Sequence, residues 1–108
     1  MPNVKLFVDP RTPNAAALPE RLTALRDMII AHLDVPVSAS QIAIVEAVGV
    51  LDQPAINVEL RILPGPARTR AALTELAEAF RSQVQQVCDV AVAVRIDQLD
   101  PETYVALK

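Results

Sequence analysis

Residues 55–73 read AINVELRILPGPARTRAAL, and they restate, with a few insertions, the plan of residues 3–12, NVKLFVDPRT. In the later run Ile56, Val58, Leu60 and Ile62 fall on one side; in the earlier one Val4, Leu6 and Val8 do. Apolar residues at every second position are the mark of a strand with one buried face. Both runs break at prolines and leave through an Arg-Thr step, Arg11-Thr12 and Arg68-Thr69. One strand-then-turn unit used twice in 108 residues points to a duplicated plan, and the rest of the chain can be divided around it.

Proline marks the divisions, because it is excluded from helix interiors and central strands. Residues 19–33, PERLTALRDMIIAHL, place Leu22, Leu25, Ile29 and Leu33 on one helical stripe, with Pro19 suited to the first position. Residues 42–48, IAIVEAV, read as a second strand. The order then restarts. A third strand over 55–63 leads to a long helix over 66–87, striped by Leu73, Leu76, Ala77, Phe80, Val84 and Val87. A fourth strand, VAVAVRID, covers 90–97. The chain is thus expected to be one domain, 1–108, built as β-α-β twice, with a pseudo-repeat over 2–49 and 55–97 and a tail over 98–108. Right-handed crossovers put both helices on one face of a four-stranded sheet. The other face is expected to be smooth and alanine-rich, since Ala43, Val45, Ala47, Ala91 and Ala93 point away from the larger residues. Glu46 sits among the large residues and does not fit that scheme.

The chain is 52% apolar yet only 3% aromatic. A small domain has too much surface to hide that fraction alone, so self-association is expected. A net charge of −3, with no basic run, speaks against a nucleic-acid partner. Cys88 is the one cysteine and is expected to be a buried small hydrophobe in a reducing, cytoplasmic compartment. No apolar run approaches twenty residues and no leader pattern is present, so neither a membrane span nor a signal peptide is expected.

This layout resembles the tautomerase superfamily. The resemblance spans nearly the whole chain and rests on the Met-Pro start, the passage HLDVPVSASQIAIVEAV over 32–48, and the turn LRILPGPARTRAALTELAEAF over 60–80. It is nearest to trimeric members of about this length, such as 5-carboxymethyl-2-hydroxymuconate isomerase, and to similar bacterial proteins of unknown role. The GPART turn is similar to the Gly-x-x-Arg-Ser/Thr opening of the second helix in that isomerase. The resemblance implies an α+β two-layer sandwich with a mixed sheet, its strands one and three side by side and antiparallel, assembled as a homotrimer.

It also implies a chemistry. With the initiator methionine removed, Pro2 would become the N-terminus, and its nitrogen a secondary amine able to accept a proton. An α-amino group titrates near 7.7–8.0; burial and a nearby cation both lower that value. Such a base could move a proton within a small anionic keto–enol acid without metal or cofactor. The resulting enolate needs donors. Arg61 is expected near Pro2 and shares a strand face with Asn57 and Glu59. Arg11 and Arg68 occupy corresponding turns, where related enzymes grip a substrate carboxylate through a guanidinium. Tyr104 lies in the tail DPETYVALK, which in such proteins crosses onto a neighbour. One departure stands out: several related isomerases carry an arginine near the start of strand two, where this chain has SASQIAIVEA, with Gln41 and Ala43. This departure counts against a classical dicarboxylate muconate as the substrate.

The one histidine, His32, falls near the end of the first helix, where a cation suits the dipole. One histidine and one cysteine supply no metal ligand set, and two glycines, Gly49 and Gly65, make no phosphate loop. Two other readings share the element order: a non-catalytic oligomer that keeps the fold, and a ferredoxin-like regulatory domain binding a metabolite at a dimer interface.

Overall fold

A computed structural model describes residues 2–108. The strands are β1 (Asn3–Val8), β2 (Gln41–Glu46), β3 (Ile56–Ile62) and β4 (Val92–Gln98); the helices are α1 (Leu22–Leu33) and α2 (Arg70–Val87). The four strands form one mixed sheet in the order β2-β1-β3-β4. β1 runs parallel to β2 and antiparallel to β3, and β3 runs parallel to β4. The result is the expected α+β layout, β-α-β-β-α-β in two layers.

The period-two residues build the core. Val4, Leu6 and Val8 of β1 and Ile56, Val58, Leu60 and Ile62 of β3 are buried. Against them pack Leu25, Ile29 and Leu33 of α1 and Leu76, Phe80 and Val84 of α2. Cys88 joins this cluster at 0% exposure, and burial pushes its thiol up from the ordinary value.

Both helices start later than their prolines suggest. Pro19 opens a 3-10 turn, Pro19–Arg21, behind the fully buried Leu18, and the α-helix proper begins at Leu22. Pro66 lies in the turn, and Thr69 caps α2: its backbone is extended and its Oγ1 accepts from the Ala72 N–H at 3.2 Å. That bond satisfies one of the four free donors at a helix start. α1 ends at Asp34, which takes the left-handed conformation at φ 52°, a geometry open to Asp and Asn more than to most residues.

The open face of the sheet is not the smooth, alanine-rich surface expected. Ala43 and Ala93 do point there, but the two central strands contribute Lys5, Phe7, Asn57, Glu59 and Arg61. The register lines these up in rows. Lys5, Glu59 and Arg95 lie side by side, as do Asn3, Arg61 and Asp97. Arg95 donates to the side-chain Oδ1 of Asn57, and the Asn57 Nδ2 donates to Glu59 Oε2 at 3.3 Å. Alternating sign across adjacent strands is the favourable arrangement for charges on a sheet. Glu46 is the last residue of β2 and is exposed, so its carboxylate lies at the rim of the sheet.

Candidate active site

Because β1 and β3 are antiparallel, each end of the central pair joins the start of one strand to the exit of the other. The two ends carry the two Arg-Thr turns, and they differ in charge.

At the first end the chain leaves β1 through Asp9, whose N–H donates to the Ala55 carbonyl at 3.0 Å. Asp9 collects four hydrogen bonds. Arg11 donates from its backbone N–H and Nε to Oδ1, both at 2.9 Å, and from Nη2 to Oδ2 at 2.6 Å. The Gly49 N–H donates to Oδ2 at 3.3 Å, while Arg11 Nη2 also donates to the Gly49 carbonyl at 2.7 Å. The Arg11 side chain, its backbone N–H and the Gly49 N–H together hold the Asp9 carboxyl well below the usual carboxylate range, and the same pairing raises Arg11. Arg11 is therefore neutralised inside its own turn.

At the second end Pro2 precedes β1 and Leu63 follows β3. Pro2 is buried, and its carbonyl accepts from the Gln41 N–H at 3.0 Å. One register step beyond the Asn3–Arg61 pair sets Pro2 opposite Ile62, and strand alternation carries it to the helix side with Val4. Here the turn is longer by Gly65, Pro66 and Ala67, and Leu63 stands where the first turn has Asp9. Arg68 consequently reaches back to main-chain acceptors: Nη1 to the Leu63 carbonyl at 2.5 Å and Nη2 to the Leu33 carbonyl, at the end of α1, at 3.4 Å. Its stem passes over Gly65, where a Cβ would lie 3.7 Å from Arg68 Cδ. The Gln98 amide donates to the Arg68 carbonyl at 3.2 Å and ties the turn to the exit of β4. Among the described residues Arg68 has no carboxylate partner; the ion pairs are Arg11–Asp9 and Arg26–Asp27. The half-buried Arg68 guanidinium is thus held by neutral main-chain oxygens and not by a carboxylate.

The five residues singled out from the sequence are thus distributed unevenly. Pro2 and Arg68 share one end of the sheet, on its helix side. Arg61 is at the same end but points to the open face, exposed, in the row with Asn3 and Asp97. Arg11 is at the other end, roughly 20 Å away by the rise of a six-residue strand. Tyr104 is half-buried in the tail, which leaves β4 at the Pro2 end and turns over Asp100–Thr103. Met1, whose removal the proline chemistry requires, lies outside the described residues. Sequence reasoning missed Asp9 and the carbonyls of Leu33 and Leu63. Asp9 carried a signal, an acid two residues before an arginine in a proline turn; main-chain acceptors carry none. Among the described residues no three His, Cys, Asp or Glu side chains gather to hold a metal ion.

No protein-family model matches the chain, and no curated protein matches it in sequence. Solved structures do. A domain of unknown function (DUF1904) from Sebaldella termitidis superposes with a TM-score of 0.77 at 15% identity, covering 98% of this chain and 95% of that one. A fused 4-OT wild type symmetric trimer gives 0.76 at 18% identity, over 97% and 90%. N1, a member of the cis-3-chloroacrylic acid dehalogenase family, gives 0.73 at 16% identity, over 96% and 79%. At these identities the likeness is one of fold alone, a fold this chain shares with all three.

Proposed function

We propose that this chain is a cofactor-independent tautomerase or isomerase that moves a proton within a small keto–enol carboxylic acid, with Pro2 as acid and base. The reading rests on the tautomerase-superfamily fold and, above all, on one juxtaposition: a buried Pro2 at the sheet end where Arg68 brings an uncompensated positive charge.

Once methionine is removed, the Pro2 nitrogen is a secondary amine with a lone pair. Burial and a nearby guanidinium both disfavour its protonated form, so the free base is populated near neutral pH. The nitrogen takes a proton from the carbon beside the substrate carbonyl, the C–H pair becomes the enolate double bond, and charge moves to oxygen. The same nitrogen returns the proton at the enolate oxygen or, where the double bond is conjugated, at a second carbon, and the double bond moves with no net loss of electrons. Arg68 holds the substrate carboxylate through its charge, and the negative charge developing on the enolate gains from the same field. One copy supplies Pro2 and Arg68; Arg11 reaches a Pro2 pocket only from a second copy. The charged open face is the contact between copies of a homotrimer, a reading supported by the trimeric fused 4-OT of the same fold.

Replacing Pro2 with Ala, with loss of methionine verified by intact mass, is expected to cut turnover of phenylenolpyruvate at least about 100-fold, the usual share of a positioned acid–base group. Unchanged turnover overturns the mechanism. Intact mass of the unaltered protein is itself decisive, because a retained methionine makes Pro2 a tertiary amide and leaves the non-catalytic reading. The same base predicts a kcat/KM that rises with pH and levels off below about 7.7, the unperturbed amine value.

A further inference from the structure

We infer that the Ser40 hydroxyl is the hydrogen-bond partner of the Pro2 amine: it accepts the N–H of the free base and so turns the nitrogen lone pair toward the substrate. The inference rests on the proton-transfer reading above and deepens it by naming the residue that positions the base.

Pro2 and Ser40 stand side by side. The Gln41 N–H donates to the Pro2 carbonyl at 3.0 Å, and Asn3 pairs with Gln41 in the parallel β1–β2 ladder. One step back along both strands puts Ser40 beside Pro2, at the usual strand spacing of about 4.8 Å. Ser40 is extended, with φ −99° and ψ 136°, so alternation carries its side chain to the face of Ile42, which packs on the core. Pro2 lies on that same helix side. The nitrogen and carbonyl oxygen of an extended residue point the same way, and the Pro2 carbonyl points to β2, so its nitrogen faces β2 as well. The ladder ends there, because Val37–Ala39 form a 3-10 turn ahead of Ser40. On its other side Pro2 has only the apolar, fully buried Ile62 of β3.

The Ser40 Oγ is buried and, among the described residues, has no hydrogen-bond partner. Folded proteins seldom leave such a group unpaired. The Ser40 main-chain N–H is satisfied, donating to the Val37 carbonyl at 3.1 Å, so the orphan is the hydroxyl alone. Removal of methionine creates a donor beside it. As a tertiary amide Pro2 has no N–H; as the N-terminus it has one in the free base and two when protonated. A serine oxygen can accept one of them. In the free base this fixes the N–H toward Ser40 and leaves the lone pair at the other position, open to the substrate C–H. After proton abstraction one N–H stays on Ser40 and the other carries the proton to be returned. No covalent bond changes at Ser40. Its hydrogen bond is stronger when the nitrogen is charged, so Ser40 raises the amine's proton affinity against the lowering effect of burial and of Arg68.

The charged and titratable groups at this end stay in place when Ser40 is replaced. The turn brings Arg68, α1 brings His32 and its cap Asp34, α2 starts at Arg70, and the tail brings Asp100 and Tyr104. Arg61 and Asp97 lie on the open face, and the acid of β2, Glu46, is at its far end. A shift in titration on exchanging one uncharged side chain for another is therefore read as a change in the hydrogen bond to Pro2.

The test is an isotope-edited NMR titration of the Pro2 amine in protein whose N-terminus is Pro2 by intact mass. It compares the native chain with Ser40→Ala, Ser40→Cys and Ser40→Thr, and follows kcat/KM for phenylenolpyruvate over the same pH range. Ser40→Ala is expected to lower the titration midpoint by about one pH unit, the worth of a hydrogen bond to a charged group. The rising limb of kcat/KM is expected to move down with it, with kcat falling by a larger factor than KM rises. Ser40→Cys, close in size and a weak acceptor, is expected to shift the same way and serves should Ser40→Ala not fold. Ser40→Thr keeps the acceptor and is expected to hold the native midpoint. A midpoint that stays or rises in whichever of Ser40→Ala and Ser40→Cys folds overturns the proposal, as does a Ser40→Thr protein that titrates like Ser40→Ala. The expected shift in a protein without turnover would sink the proton-transfer reading alone. Turnover that depends on Pro2, with a midpoint indifferent to Ser40, would sink the Ser40 assignment alone.

Discussion

Asp9 and Leu63 occupy the same place in two copies of one turn, and with that difference Arg11 pairs with a carboxylate while Arg68 turns to main-chain carbonyls. Asp9 also contributes to stability, with a sign that can be worked out. Its carboxyl is held below the usual range in the folded chain by the Arg11 side chain, the Arg11 N–H and the Gly49 N–H. A group depressed on folding stabilises fully above its unfolded value, about 3.9, and loses that contribution as pH falls toward the folded value. Asp9→Asn is therefore expected to melt at a lower temperature than the native protein at pH 7. The gap should close progressively as the pH is taken below about 4, as thermal melts across pH 2–8 would show. The residues DPRT announce a turn, but the sequence does not say that its arginine is spent on its own aspartate. That depends on Gly49, which lies 38 residues further on and closes the pair from the other side.

At the scale of elements, the strands were readable and the helix starts were not. Alternation placed β1 without error, because Val4, Leu6 and Val8 have to face one way for the core to close. The sequence predicts Pro19 at the first helical position, which proline favours in general, and a second helix from residue 66. In the fold each instead shapes a turn that delivers the chain to its helix, Pro19 through a 3-10 turn and Pro66 ahead of the Thr69 cap. The cap exists in one half only. Thr12, the counterpart of Thr69, is buried, and its carbonyl rather than its hydroxyl accepts the Ala15 N–H at 3.3 Å. Thr69→Ala should cost about 1 kcal/mol in urea denaturation, the ordinary value of a side-chain cap. Phe80→Ala should cost about 3–5 kcal/mol, because the fully buried ring joins α2 to the sheet and leaves a void when removed.

On the scale of the whole molecule, the open face carries the surprise. Alternation alone puts Asn57, Glu59 and Arg61 on one side of β3, yet only the strand order shows that they gain Lys5, Arg95 and Asp97 as neighbours in place of the alanine-rich face expected. The proposed trimer should appear as a single species in sedimentation velocity, and Glu59→Lys, which sets three like charges in the row with Lys5 and Arg95, should shift it toward smaller species. The location of the proposed site depends on the same long-range facts: only the antiparallel β1–β3 pair brings Pro2 to the end of the sheet where the turn carrying Arg68 leaves β3. That pair also has a consequence for biosynthesis. β1, the earliest strand to leave the ribosome, takes an inner place in the sheet, and its partner β3 emerges some fifty residues later. Until then the nascent chain holds β1 and β2 with an apolar, unpaired edge exposed, the kind of surface that recruits other chains. A pause in translation once β2 has emerged and before β3 follows would prolong that vulnerable interval.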